Sequence, residues 1–476
     1  MIGVIIVAQI HWRQEIEQRK ESLLQDTQEL LRIRSVLDEE QATEEAPLGK
    51  GVKAALDYML SLGAKDGFVT KNVDNLAGHL EMGEGDELIG ILCHVDVVPE
   101  GDGWSSDPFS ADIRDGKIYA RGAIDDKGPT MAAYYGMKII KELGLPLGKR
   151  VRMIIGTDEE SDWRCVDRYF EKEEMPAMGF APDADFPIIN AEKGIWDFTV
   201  QQNTVTTASN TGITVKEFSS GRRPNMVPDY AIVSIKAASD SSEIADRFNT
   251  FIQKHSLAGT ATLKEGGIII ELEGVSAHGM EPNNGVNAGL FLSAFLSGLN
   301  LDDQAKEYFT FVHDKLFGDS RGHKLGLAFS DQITGELTIN AGVLRYTQDG
   351  GGSIGFTTRY PVTYNWKESK EKLVVQLAQH NFGISAESNS KPHHVTSDSF
   401  LIKTLQQVYK EQTGQEAKLL SIGGGTYARS LEQGVAFGPL FPGSEDVAHQ
   451  KDEYIAIDDM LSAAAIYAHA IYELAK

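Results

Sequence analysis

Two residues with chemical capacity, His94 and Asp96, interrupt an otherwise apolar run, Gly90-Ile-Leu-Cys-His-Val-Asp-Val-Val-Pro99. A run of that length bounded by turn signals predicts a strand buried on both faces. Side chains alternate along a strand, so His94 and Asp96 are expected on one side of it. Burying an imidazole and a carboxylate there demands a strong partner for each. Either the two form a hydrogen-bonded core pair, or a metal ion serves both.

Further polar groups follow predicted strands. Ala120-Arg-Gly-Ala-Ile-Asp-Asp-Lys-Gly-Pro129 sets Asp125 and Asp126 in a glycine-flanked turn before a helix; on its own this reads equally as an N-cap with a solvated neighbour. Glu159 and Glu160 come directly after the strand predicted at 150–156, where a solvated acidic loop is the plain alternative. Phe180-Ala-Pro-Asp-Ala-Asp-Phe-Pro187 encloses Asp183 and Asp185 between aromatics and prolines, a poor setting for an unpaired charge. Far downstream, Ser444-Glu-Asp-Val-Ala-His-Gln-Lys-Asp-Glu453 supplies His449 in a polar loop.

Together, a His, an Asp, a Glu-Glu pair, a second Asp and a second His at strand ends are what a two-metal hydrolytic site requires. Carboxylates and imidazoles suit zinc, manganese or cobalt, and adjacent metals about 3.5–4 Å apart need a bridging carboxylate. Three ligand carboxylates against two divalent ions leave one positive charge, which favours a bound hydroxide near neutral pH. A carboxylate that is not a ligand must then accept the water's proton and pass it to the leaving amine. A Glu-Glu pair can point one group to metal and the other to substrate.

The elements that must hold these groups alternate. Amphipathic helix is predicted at 11–33 and helix at 51–62, then strands at 68–73 and 87–98. A loop with short strands spans 101–121, and a centrally packed helix (129–143) precedes a strand at 150–156. Such alternation indicates a mostly parallel sheet wrapped on both faces, with working residues beyond the carboxyl ends of its strands. At 476 residues the chain exceeds one hydrophobic core, so two domains are the expectation. A balance of 45 basic against 69 acidic residues, net −24, excludes nucleic acid and anionic membrane surfaces as partners. Two cysteines, Cys93 and Cys165, build neither a disulfide framework nor a cysteine zinc site, which fits a reducing cytoplasm. The apolar start, residues 1–9, lacks a basic region and is too short to span a bilayer; it reads as an appendage.

In order and spacing, His94-Val-Asp96, Gly122-Ala-Ile-Asp-Asp-Lys-Gly128, Thr157-Asp-Glu-Glu-Ser161, Pro182-Asp-Ala-Asp-Phe-Pro187 and His449 resemble the co-catalytic zinc peptidases related to aminoacylase and glutamate carboxypeptidase. Gly156-Thr-Asp-Glu-Glu-Ser-Asp-Trp163, Ser276-Ala-His-Gly-Met280 and Gly423-Gly-Gly-Thr-Tyr-Ala-Arg429 make the chain most similar to the bacterial PepV-type dipeptidases. The resemblance implies an α/β, phosphorylase/hydrolase-like catalytic domain formed by 1–194 and 389–476, with an inserted, enlarged α+β lid at 195–388. It implies that Asp125 bridges two divalent ions, that His94 and Asp183 complete one position, and that Glu160 and His449 complete the other. Glu159 becomes the general base and then acid, and Asp96 holds the His94 ring. Asp126 and Asp185 fall beside the matching positions, and His393 and His394, outside the matched motifs, take a structural role.

Within the lid, His278 reads alone as a turn residue; by similarity it stabilises the oxyanion. Asn225 and Arg359 are expected to bind substrate, the arginine as a fork for a free C-terminal carboxylate. Gly424 and Gly425 are expected to approach the substrate backbone, with Thr426 a further hydrogen-bonding group. The implied function is a cytoplasmic, metal-dependent dipeptidase that attacks short peptides with a free N-terminus through a metal-bridging hydroxide, zinc ranking ahead of manganese and cobalt. An acidic group for the substrate amine is expected near Asp96 or Asp158. A doubled lid in place of a dimer partner implies a monomer. The alternatives are another amide hydrolase of the same family, an N-acyl amino acid deacylase or aminopeptidase, and, more distantly, a non-catalytic metal- or peptide-binding protein. Arg34 stands where proline is common, and Ala123-Ile124 replace smaller or hydroxylated residues before Asp125; neither touches an expected ligand.

Overall fold

The computed structural model describes residues 10–203, 213–236 and 241–476; the apolar residues 1–9, expected to be an appendage, lie outside them. The chain divides into two compact units. One comprises the described residues up to Asn190 with Val395–Leu420 and Gly425–Lys476, the other Ala191–His394 with Ser421–Gly424.

A mixed sheet organises the first unit, in the order Val69–Val73, Ala77–Met82, Arg150–Gly156, Leu88–His94, Met178–Ala181, Gly434–Ala436. The central pairings are parallel. The flanks are not: Ala77–Met82 runs antiparallel to both neighbours, and Ala436 meets Ile189 antiparallel. The expected mostly parallel sheet is thus parallel only at its centre. At one edge the cause is a hairpin in which Asp74 and Asn75 take left-handed φ of 54° and 56°, turning the chain back within three residues. Leu88–His94 is buried at every position and ends at His94, short of the expected 98. Asp96 therefore stands in the loop beyond the strand, and side-chain alternation does not place it.

Helix Lys127–Glu142 has small and apolar residues on nearly every side and is buried almost all round. It packs on the last helix, Ile457–Ala475, whose alanines permit close approach. At the crossing, a Cβ on Gly136 would lie 2.9 Å from the Ala468 nitrogen. The helix expected at 11–33 is two, Trp12–Glu17 and Lys20–Leu31, broken where Arg19 leaves helical geometry and pairs with Glu15 and Glu142.

The second unit holds an antiparallel sheet of eight strands, in the order Ala258–Lys264, Gly267–Glu273, Tyr230–Lys236, Thr214–Ser220, Thr338–Thr347, Gly351–Tyr360, Gly194–Gln202, Phe382–Ser390. Burial alternates along Gly194–Gln202, so Trp196, Phe198 and Val200 share a face. They join one core with Phe248, Leu292, Phe295, Tyr308, Phe309 and Leu377 from helices. Two four-stranded halves meet where Thr214–Ser220 pairs with Thr338–Thr347. His393 and His394 form a short strand against Glu192 and Ala191. Among the described residues no helix is long and apolar enough to cross a membrane.

The Gly136 contact is with backbone, which cannot swing aside. Gly136→Val is expected to destabilise the first unit by about 1–3 kcal/mol through overpacking, read as a lower urea midpoint; an unchanged midpoint would mean the helices do not cross there.

Candidate metal centre

Three parallel strands deliver their carboxyl ends to one edge of the first unit. Leu88–His94 terminates in His94, Arg150–Gly156 leads to Glu159 and Glu160, and Met178–Ala181 leads to Asp183. The Asp125–Asp126 turn opens helix Lys127–Glu142 at the same edge, and His449 arrives on a loop with a left-handed φ of 62°.

Asp125 is central to the geometry. Its Oδ1 lies 3.1 Å from His94 Nε2 and its Oδ2 lies 3.0 Å from His449 Nε2, one oxygen to each imidazole. His449 Nε2 is also 3.1 Å from Glu160 Oε1, and His94 Nε2 is 3.8 Å from Asp183 Oδ2. Two sets of ligating atoms, one from His94, Glu159 and Asp183 and one from Asp125, Glu160 and His449, each lie within 4.8 Å of one another. By distance to His94, Asp125 belongs to both.

The donor set fits metal ions on its own terms. The His94 side chain is fully buried and its Nε2 makes no hydrogen bond. Its Nδ1 lies 3.0 Å from the Asp96 carbonyl oxygen, a contact that fixes the proton on Nδ1 and turns the Nε2 lone pair toward Asp125 and Asp183. The Asp96 carboxylate, expected to be the partner of this ring, stands at 3.4 Å from Nδ1. The backbone carbonyl is nearer because the strand has ended and the chain curls back over the ring. The carboxylate instead accepts the Glu160 amide at 3.0 Å, tying the His94 loop to the Glu-Glu loop.

Charge crowding has direct consequences. Burial pushes Glu159 well above the usual carboxylate range, and nearby Asp183, Glu160 and Asp125 add to this against the opposing pull of His94. Burial, then Asp125, raises Glu160 to about 7 and Asp183 to about 6. For Asp125, burial acts upward but is outweighed by the adjacent imidazoles of His449 and His94, which hold it below its usual value. His449 is pushed up to about 11 by Asp125 and Glu160. Burial lowers His94, yet Asp125, Asp183 and Asp96 outweigh it and raise it well above 6.5. Four carboxylates at one edge thus hold protons or cations.

Several residues to which the sequence assigns no role support the centre. Asp126 is buried and accepts the His94 amide at 3.1 Å and the Thr130 hydroxyl at 3.0 Å. The Tyr427 ring meets the His94 ring edge-on at 5.9 Å and contacts Cys165 Sγ through its hydroxyl. Gly156 is glycine because a Cβ there would lie 2.5 Å from that tyrosine. Trp163 donates to the Glu159 carbonyl at 2.7 Å, accounting for the tryptophan of the Glu-Glu motif. Glu453, completely buried, accepts the Ile124 amide at 2.9 Å and the Asp125 amide at 3.3 Å.

Other expectations change. Asp158, considered for the substrate amine, is fully engaged with Arg164, which reaches it at 2.8 and 3.0 Å through two nitrogens. Thr426 caps the short helix Tyr427–Ser430, its hydroxyl oxygen accepting the Ala428 amide at 3.2 Å. A Cβ at Gly425 would meet Arg429 Nη1 at 2.5 Å, so this glycine has a reason within its own loop, whereas Gly424 faces more open space. Asp185 is half-buried beside the site and makes none of its contacts.

In the second unit, Asn225 and His278 are neighbours. The Asn225 carbonyl accepts the Gly279 amide at 2.7 Å, and Met226 bridges His278. The Met280 amide donates to His278 Nδ1 at 3.1 Å, so the ring proton lies on Nε2. Loss of hydration, then Arg359, lowers the basicity of this ring and keeps it neutral.

The sequence pattern of peptidase family M20/M25/M40 matches residues 90–473. A Bacillus subtilis (strain 168) protein named "Putative dipeptidase YtjP" is 56% identical over 467 residues, covering 98% of this chain and 100% of its own length. A Staphylococcus epidermidis relative named "Putative dipeptidase" is 45% identical over 464 residues, 97% of this chain and 99% of its own. Among solved structures, aminoacylhistidine dipeptidase from Vibrio alginolyticus superposes with a TM-score of 0.58 at 12% identity over 95% of this chain and 96% of its own. Human carnosine dipeptidase 1 gives 0.55 at 15% identity over 97% and 98%.

His449 is raised to about 11 and His94 is raised as well, and a ring that carries the extra proton must lose it to bind metal. Filling the centre at pH 7 is therefore expected to release at least one proton per ion, and apparent metal affinity is expected to rise with pH. Titration calorimetry in buffers of different ionisation enthalpy checks this; binding without proton release contradicts it. In the metal-free protein the sign reverses. Stability contributed by His449 is complete below its ordinary value of 6.5 and is lost as pH climbs toward about 11.

Proposed function

The chain belongs to peptidase family M20/M25/M40, and from that premise we propose that it is a two-metal dipeptidase acting on short peptides with a free N-terminus. The observation that carries this reading is Asp125, one oxygen facing His94 and the other His449. With Asp125 shared, His94 and Asp183 would hold one divalent ion and Glu160 and His449 the other. Zinc suits this donor set, as do manganese and cobalt. Such a pair of ions supplies Lewis acidity to a scissile carbonyl and to water, making a nucleophile near neutral pH.

The side chains would do the rest. Glu159, its proton affinity raised by burial, would take a proton from water and deliver it to the leaving amine. Asp96 and Asp126 orient the His94 loop by the hydrogen bonds described above. In the second unit, proposed to serve as a lid, neutral His278 with Nε2–H free to donate would stabilise the oxyanion. Asn225 and Arg359 would bind the substrate, the guanidinium taking its C-terminal carboxylate; Gly424, Gly425 and Thr426 would lie along its backbone. The dipeptidase designation of relatives 56% and 45% identical supports this substrate class. We further propose a cytoplasmic monomer. Both cysteines are buried and free, in keeping with a reducing compartment.

Glu159→Ala is expected to keep both ions and lose about 10²–10⁴ of kcat, measured by metal analysis beside turnover of a dipeptide panel. Retained turnover would remove Glu159 from the chemistry. In the same panel, faster hydrolysis of N-acetyl amino acids than of dipeptides would make the chain a deacylase, and faster cleavage of tripeptides an aminopeptidase. Light scattering is expected to give one chain of 52.1 kDa; twice that mass would contradict the monomer.

A further inference from the structure

Beneath the proposed second metal position, formed by Asp125, Glu160 and His449, lies an ion pair sealed from solvent. Arg121 is 1% exposed and Glu453 is 0% exposed, and Arg121 Nη1 donates to Glu453 Oε2 at 2.5 Å. Removing a guanidinium and a carboxyl group from water is costly, and well-packed apolar residues of the same volume often stabilise as much or more. Fold stability alone thus gives little reason for the pair.

Its remaining contacts supply one. Glu453 Oε1 accepts the amides of Ile124 and Asp125 at 2.9 and 3.3 Å, gripping the backbone that carries the shared carboxylate. Arg121 Nη2 donates to the His449 carbonyl at 3.3 Å, gripping the backbone of the imidazole that faces the same carboxylate, and to the Glu100 carbonyl at 3.3 Å. Arg121 also lies over the Trp104 ring at 5.2 Å, which closes the guanidinium off on that side. The two segments are already joined by the pairing of Tyr454–Ala456 with Lys117–Tyr119. That ladder stops short of both ligands, and the ion pair begins where it ends. Asp125 and His449 are more than three hundred residues apart in sequence, and His449 sits at a left-handed φ of 62° on an exposed loop. Without a tie, the loop would place its imidazole loosely.

We propose that Arg121 and Glu453 form a positioning pair that sets the distance between Asp125 and His449, and so the affinity of the second metal position, without governing the position of His94 and Asp183. This rests on the two-metal reading. Neither residue touches the ion or the substrate; each acts through a ligand's backbone.

The test is cobalt titration of the metal-free full chain, followed by visible absorption and by total bound metal, on wild type, Glu453→Gln and Arg121→Lys. Glutamine keeps the shape of Glu453 but turns an N–H toward Arg121; lysine keeps the charge of Arg121 but loses the fork. The expected result is wild-type affinity for the first equivalent and a second equivalent bound about 10–100-fold more weakly in either variant, with the absorption change of the second step moved to higher cobalt. Glu453→Gln combined with Arg121→Lys is expected to lose less than the sum of the two single losses, since both act through one pair. A folded variant whose second affinity stays within twofold of wild type, or one that weakens both equivalents alike, overturns the inference; thermal unfolding reports which variants are folded. Should Glu453→Gln not fold, Arg121→Lys decides alone. Failure of the underlying reading shows differently, as a wild type that takes up fewer than two equivalents.

Discussion

One carboxylate with an imidazole at each oxygen is the constraint on which the first unit is arranged. Asp125 cannot satisfy His94 and His449 together unless the strand end, the turn and a loop from the far end of the chain meet within about the 3 Å that hydrogen-bonded or ligating atoms require. The surrounding groups make this point more demanding. Glu159, Glu160 and Asp183 converge on it, and burial raises all three. Like charges drawn together out of water are held only by protons or cations. In the bare protein His449, raised to about 11, already supplies such a cation.

The fold meets this requirement by dividing rigidity from reach. Leu88–His94, buried throughout, fixes His94 as firmly as a core residue, while the parallel neighbours bring the Glu-Glu loop and Asp183 to the same edge. Helix Lys127–Glu142, clasped against the last helix at Gly136, carries the Asp125 turn. His449 belongs to none of these elements. Its loop is anchored instead through neighbours, Arg121 on its carbonyl and Glu453 four residues on.

What could be read from sequence divides along the same line. His94, Asp125, the Glu-Glu pair and Asp183 announce themselves because polar groups directly after apolar strands break a local pattern. The resemblance to a peptidase family followed from their order, and the family match agrees with it. Residues that act through tertiary contact left no such mark. Glu453 looks like one more acid in an acidic loop, yet it is the most deeply enclosed of them. Asp158, on a loop where an acidic group for the substrate amine was expected, is paired with Arg164. Asp96 was placed beside His94 by strand alternation; it touches His94 chiefly through its carbonyl, because the strand stops at His94, before reaching Asp96. The antiparallel pairing of Ala77–Met82 with Arg150–Gly156 and the break at Arg19 were equally hidden, since each involves a partner distant in sequence rather than glycine or proline.

The shared role of Asp125 is the claim from which the rest descends, and equilibrium metal binding to Asp125→Asn tests it most directly. An amide keeps the size of the side chain and removes the charge that faces both imidazoles. If the carboxylate is shared, competition against a chelator will find both equivalents of zinc weakened, each by at least about tenfold, in a protein that still folds. Loss of one equivalent with the other at wild-type affinity would show that Asp125 serves a single position, and the two-metal arrangement would have to be redrawn.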